Sequence, residues 1–152
     1  MTIWRIASRG QAPLDGEGAR LYGSRWTSRG MRAVFASATL SLAALERFIH
    51  TDPDLEPADL VAVGLESADI RVESVQVEDL PRNWRQYPAP SELASIGEQW
   101  LRQAQTAALS VPSVVIPRER NFILNPAHAD FERLIVGPPE PFAFDPRMWK
   151  KR

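Results

Sequence analysis

Apolar and polar positions change period along the chain, and the changes mark its elements. From Thr2 to Ile6 they alternate as in a strand, with Ile3 and Arg5 on one face and Trp4 and Ile6 on the other. Residues 7 to 24 carry Gly10, Pro13, Gly16, Gly18 and Gly23, which predicts a long loop. Arg32 to Ser37 reads as a second strand, and Ser37 or Thr39 is placed to cap a helix from Ser41 to Ile49. At about 100° per residue, Leu42, Leu45 and Ile49 form the apolar stripe of that helix, and Glu46 falls inside it, one turn after Leu42. An unpaired buried carboxylate is costly, so Glu46 needs a cation, hydrogen-bond donors or a ligand, and Arg25 is the nearest candidate upstream. The plainer alternative leaves the carboxylate in water at the rim of a core.

Further along, Leu60 to Leu65 and Ile70 to Val77 read as strands. The alternation of Ile70, Val72, Val75 and Val77 slips near Glu73 and Ser74, where a bulge would restore it. An irregular segment around Trp84 leads to Ser91, which opens the longest helix, from Glu92 to Ala108, with Leu93, Ile96, Trp100, Leu101 and Ala104 at helical spacing. Ser110 to Pro117, Asn121 to Leu124 and Leu134 to Val136 supply further strands, and Lys150-Lys151-Arg152 a solvated tail. Short strands in this number, two clear helices and no strict βαβ alternation predict an α+β fold, a single compact domain over residues 1 to 152.

Composition narrows the function more than the fold. Lys+Arg 18 against Asp+Glu 19 gives a formal net charge of −1, so no global field draws the protein to nucleic acid or to an anionic membrane. The absence of cysteine excludes disulfides and thiolate metal sites. No apolar run reaches the roughly 20 residues of a membrane span, and the opening MTIWRIASRG lacks the apolar stretch of a secretory leader, so a cytoplasmic location is expected. His50 and His128, the two histidines, stand far apart, which argues against a zinc site, and no metal is expected. Neither G-x-S-x-G, a Walker lysine loop nor G-x-G-x-x-G occurs.

What remains is a set of polar residues at strand ends or inside apolar runs: Arg5, Arg25, Glu46, Ser113, Asn121 and Asn125. Two arginines can hold a pyrophosphate through paired hydrogen bonds, and one buried carboxylate can stabilise a developing cation. Together they suit cleavage of a dinucleotide's glycosidic bond through an oxocarbenium-like transition state. Each residue also has an ordinary role open to it: Arg5 on a strand edge, Ser113 after a proline at the start of a strand, Asn121 and Asn125 in turns.

The ordered motifs W-R-I near the start, G-S-R-W at 23–26, V-F-A-S at 34–37, S-L-A-A-L-E at 41–46, L-P-x-x-W at 80–84, I-G-E-Q-W-L at 96–101, V-P-S at 111–113 and N-F-I-L-N-P-x-H at 121–128 resemble the RES domain family over almost the whole chain. The family is named for an arginine, a glutamate and a serine, and the resemblance places these at Arg25, Glu46 and Ser113, with Arg5 as a second arginine of a pocket for NAD. It implies a fold similar to diphtheria-toxin-like ADP-ribosyltransferases, a split β-sheet with flanking helices. It also implies activity on NAD as substrate and the role of toxin beside a helix-turn-helix antitoxin of the Xre type that covers the cleft. Phe35, expected to pack on nicotinamide, stands where the family commonly has tyrosine, so a stacking ring is kept without a hydroxyl. Thr27 stands where asparagine is usual. Ser113 is expected to orient ribose or nicotinamide, and Asn121 to line the same pocket. The acceptor of the ADP-ribosyl group, whether water, phosphate or a protein side chain, stays open, as does a domain that binds nucleotide or partner without turnover.

Overall fold

A computed structural model describes residues 1–11, 14–55 and 57–149. Part of the expected loop, Pro13, and the whole of the Lys150-Lys151-Arg152 tail lie outside the described residues. The strands are β1 (Thr2–Ser8), β2 (Val34–Ser37), β3 (Leu60–Glu66), β4 (Val72–Ser74), β5 (Ala108–Pro112), β6 (Arg120–Leu124), β7 (Ile135–Val136) and β8 (Glu140–Pro141). The helices are α1 (Glu17–Tyr22), α2 (Leu40–Ile49) and α3 (Ser91–Gln103). One mixed sheet runs in the order β4-β5-β6-β2-β1-β3-β7, with β8 also paired to β3; only β4 and β5 lie parallel. The α+β architecture expected from the sequence is the one observed.

The sheet is nearly divided at its centre. β1 pairs with β3 through seven residues, and β2 with β6 through four, whereas β1 meets β2 at the single pair Trp4↔Ser37. Directly paired residues share a face. Trp4, Ser37, Asn121 and Val111 therefore line up on one face, with Ile6, Phe35, Ile123 and Leu109 on the same side. This face carries two separate covers. Over β1 and β3 lie Ala43, Ala44 and Phe48 of α2 with Phe144 and Trp149; over β2, β5 and β6 lie Leu93, Trp100 and Leu101 of α3 with Trp26 and Trp84. The opposite face, with Ile3, Val34, Val63, Phe122 and Leu124, is closed by Leu14, Ile70, Phe131 and Leu134.

Several expectations are corrected. The segment 7 to 24 is not one loop: β1 continues to Ser8, a helical turn covers Arg9–Gln11, and α1 fills Glu17–Tyr22, its Glu17 binding Arg20 and Arg32. Glycines spaced through it misled because Gly18 is accommodated inside α1 while Gly23, at φ 68, only ends it. The stripe of α2 also turns: Leu42 is fully buried, Ala43 and Phe48 complete the inner face, and Ile49 is 56% exposed. Thr39, not Ser37, caps the helix, accepting from the Leu42 amide at 3.1 Å. The strand expected at Ile70 to Val77 shrinks to Val72–Ser74, which pairs in register with Ala108, Leu109 and Ser110 without a bulge; at the sheet edge it has one neighbour to hold it. α3 stops at Gln103 because Ala104 turns left-handed at φ 49, and Ala108, a good helix former, is claimed by sheet pairing to Val72 and Leu124.

Gly97 sets how closely α3 lies on the segment before β2. A Cβ at this position would stand 1.8 Å from the carbonyl oxygen of Trp26, so helix and turn touch backbone to backbone. Gly97→Ala is expected to destabilise the fold by about 3 kcal/mol through overpacking against an unyielding main chain. Urea denaturation measures it, and an unchanged midpoint would show that the approach is not close.

Candidate active site

Between the two covers, at the end of the β1–β2 seam, Glu46 of α2 meets the β5–β6 hairpin. Its Oε1 accepts from Ser113 Oγ at 2.7 Å and from Asn121 Nδ2 at 2.7 Å. These two hydrogen bonds answer the problem of a carboxylate on an inward helix face, and each bond to a charged group contributes about 1.5–3 kcal/mol. Both donors are themselves oriented. Ser113, fully buried, follows β5 and accepts the amides of Val115 and Ile116, each at 3.1 Å, which leaves its one hydroxyl proton for Glu46. Asn121, in β6, accepts from Ser37 Oγ at 2.7 Å through Oδ1, so its amide nitrogen is the end that faces the glutamate. Among the described residues Glu46 makes no ion pair, and Oε2 has no hydrogen-bond donor.

Arg25 reaches the same region from the opposite cover. Gly23 ends α1, and the next residues form a tight turn in which Ser24 Oγ accepts the amides of Trp26 and Thr27 and meets Thr27 Oγ1 at 2.9 Å. Thr27, buried, is thus a structural member of the turn. From it Arg25 Nη1 donates to the carbonyls of Trp84 (2.9 Å) and Gln86 (3.0 Å). Partial burial pushes its guanidinium down from the ordinary arginine value, and the charge of Glu46 opposes that shift. Arg25 is therefore close enough to feel the carboxylate without touching it. Phe35, partly buried on the same sheet face as Asn121, packs against the cover built by α3.

Hydrogen bonds join Glu46, Ser113 and Asn121, the charge of Glu46 reaches Arg25, and Arg5 touches the main chain of Phe35. Strand alternation puts Arg5 on the other face from Trp4, and its Nη1 donates to the Phe35 carbonyl at 3.2 Å across the seam, where β1 supplies no ladder partner. Asn125 takes its ordinary role: it is buried, and its Oδ1 accepts the Ala127 amide in the turn after β6. His50 and His128 are likewise elsewhere, His128 accepting the Asp130 amide. No group of three potential metal ligands occurs among the described residues, and no helix among them is long and apolar enough to cross a membrane. Sequence reasoning missed Ser37, which fixes the Asn121 amide, and the Trp84 and Gln86 carbonyls that hold Arg25. Ser37 carried a signal, a serine ending the apolar run V-F-A-S; backbone carbonyls carry none.

Ser113→Ala removes one donor to Glu46 and the acceptor of two amides. It is expected to cost about 2 kcal/mol of stability, measured by denaturant unfolding, and a variant as stable as the parent would mean that the two amides find other acceptors.

A family model described as the RES domain matches residues 2–145. A Yersinia enterocolitica protein named Toxin Res is 35% identical over 151 residues, covering 97% of this chain and 99% of that one. A Sphingobium protein named Prs ADP-ribosylating toxin is 34% identical over 157 residues, covering 99% and 98%. A chain in the crystal structure of the M. tuberculosis MbcT-MbcA toxin-antitoxin complex superposes with a TM-score of 0.78 over 97% of this chain and 86% of that one; at 15% identity this is a likeness of fold.

Proposed function

For this chain, which belongs to the RES domain family, we propose the function of an NAD-consuming toxin that breaks the bond between nicotinamide and ribose. The observation that carries the reading is the Glu46 carboxylate, held through one oxygen by Ser113 and Asn121 while Oε2 has no donor among the described residues, with the Arg25 charge nearby and not in contact. Two hydrogen bonds on one oxygen favour the carboxylate where it stands, out of contact with the arginine. The carboxylate presents fixed negative charge with little reorganisation cost, which is what an oxocarbenium-like transition state needs.

In this reading the C–N bond to nicotinamide breaks with its electron pair leaving on nicotinamide, and Glu46 stabilises the positive charge that develops on the ribose. Ser113 and Asn121 position the carboxylate, and Ser113 is thereby less a direct ligand of NAD than the sequence resemblance implied. Arg25, with Nη1 committed to two carbonyls, offers its remaining donors to a phosphate of the dinucleotide. Phe35 offers a ring face to nicotinamide. The lone pair of an acceptor then forms the new bond at the ribose carbon. With water or phosphate as acceptor the protein degrades NAD; with a protein side chain it is an ADP-ribosyltransferase. The name of the Sphingobium relative favours keeping this second outcome. The fold shared with a chain from a toxin-antitoxin complex supports an antitoxin as partner; its Xre helix-turn-helix type and a cytoplasmic site of action are taken from the family resemblance.

Glu46→Gln keeps the acceptor oxygen for Ser113 and Asn121 and removes the charge. Nicotinamide release from NAD is expected to fall by roughly 100-fold or more with the unfolding midpoint nearly unchanged; release at the parental rate refutes the assignment. Chromatography of labelled NAD products identifies the acceptor in the same experiment.

A further inference from the structure

α2 is held from two opposite flanks. On one, Glu46 accepts from Ser113 and Asn121. On the other, Phe48 packs among aromatic rings supplied by the segment after β8: its ring centroid lies 4.9 Å from that of Trp149, tilted at 36°, and 5.8 Å from that of Phe144, edge-on at 68°. Two positions along an α-helix amount to a rotation of about 200°, so Glu46 and Phe48 point to opposite sides of α2. A roll of the helix that relaxes one contact therefore disturbs the other. The tolerance on the polar flank is small, because a shift of about 1 Å takes a 2.7 Å hydrogen bond out of range.

The aromatic flank is built by a short strap with its own fixed points. β8 pairs with β3 at Val61↔Pro141 and Ala62↔Glu140, and the Phe142 amide donates to the Leu60 carbonyl at 2.9 Å. The rings of Phe142 and Phe144 meet edge-on, 5.2 Å apart at 90°. Asp145 then opens a helical turn over Pro146–Trp149: its Oδ1 accepts the Arg147 amide at 2.9 Å, its carbonyl accepts the Met148 amide at 2.9 Å, and its carboxylate pairs with the Arg147 guanidinium. The turn brings Trp149 back onto Phe144, 5.5 Å away at 86°, and onto Phe48. Trp149 Nε1 is out of contact with solvent and has no hydrogen-bond partner. A buried indole usually gives its N–H to an acceptor, so what this position uses is the shape and area of the ring.

We propose, on the reading that Glu46 carries NAD cleavage, that Phe48 and Trp149 are positioning residues for its carboxylate. The strap of Phe142, Phe144 and Trp149 sets the roll of α2, and through it the alignment of Glu46 with Ser113 and Asn121. When a ring of the strap is lost, packed neighbours relax into part of the space it leaves, and α2 moves with them.

The test uses the full chain and two readouts, nitrogen-15 NMR of the Asn121 side-chain amide and steady-state nicotinamide release, both well below the unfolding midpoint of each variant. In Trp149→Ala the Asn121 amide signals are expected to move toward those of a free amide. The kcat is expected to fall by about tenfold or more, with KM for NAD little changed. Trp149→Phe, which keeps a ring and removes the unpaired N–H, is expected to restore the parental signals and most of kcat. Phe48→Leu shrinks the other partner, is expected to shift the same signals, and serves if the alanine variant does not fold. Parental Asn121 signals in the folded variants, with only a lower midpoint, would make the strap ordinary core and overturn the proposal; so would a parental kcat in folded Trp149→Ala. The Asn121 signals need no turnover, so a parent chain that releases no nicotinamide refutes the NAD reading while the signals still report whether the strap places Glu46.

Discussion

The bond pair at Glu46 Oε1 is the constraint on which the rest of the site depends. It ties α2 to both sides of the turn of a hairpin, at residues 67 and 75 positions further along the chain. An unsatisfied carboxylate on this inward face would be strongly unfavourable, so the position of the helix over the sheet and the orientation of the hairpin are coupled through one oxygen atom. The coupling extends outward: two amides of the 113–119 loop hold Ser113, and Ser37 holds Asn121. Every donor that touches Glu46 is thus fixed by a second hydrogen bond, the condition under which a polar network rigidifies a site.

The sheet is not covered continuously. Paired through seven residues on one side and four on the other, but by one residue pair at the centre, the sheet behaves as two halves, each with its own apolar cover. α2 belongs to the first half and carries Glu46 and Arg47. The turn with Arg25, wedged on α3 at Gly97, belongs to the second. The junction of two such layers is a usual place for a small-molecule site. The same division leaves the Phe35 carbonyl to Arg5 and so draws a charged side chain into the seam.

Much of this could be read before any coordinates. Glu46 stood out because a carboxylate at helical spacing from Leu42 breaks an apolar pattern, and Arg25, Ser113 and Asn121 were found through ordered motifs. Other parts were not legible, and the reasons differ. The shortening of the strand around Val72 follows from its place at an edge, which period-2 alternation does not encode. The end of α3 at Gln103 follows from competition with sheet pairing of Ala108. α1 was hidden by glycines whose conformations depend on their contacts. That Arg5 rests on the Phe35 carbonyl was not legible either, because a backbone acceptor leaves no mark in the sequence.

By itself, then, the sequence determined the local periods, the α+β class, the family, and which side chains were chemically out of place, since these depend on neighbours three or four positions away or on residue identity alone. Tertiary structure decided which groups meet: that Ser113 and Asn121, not Arg25, satisfy Glu46; that backbone carbonyls hold Arg25; and that the Phe35 carbonyl accepts from Arg5. Hydrogen bonds and Coulomb forces act over a few ångströms of space, and only the closed sheet brings residues 46, 113 and 121 within that range.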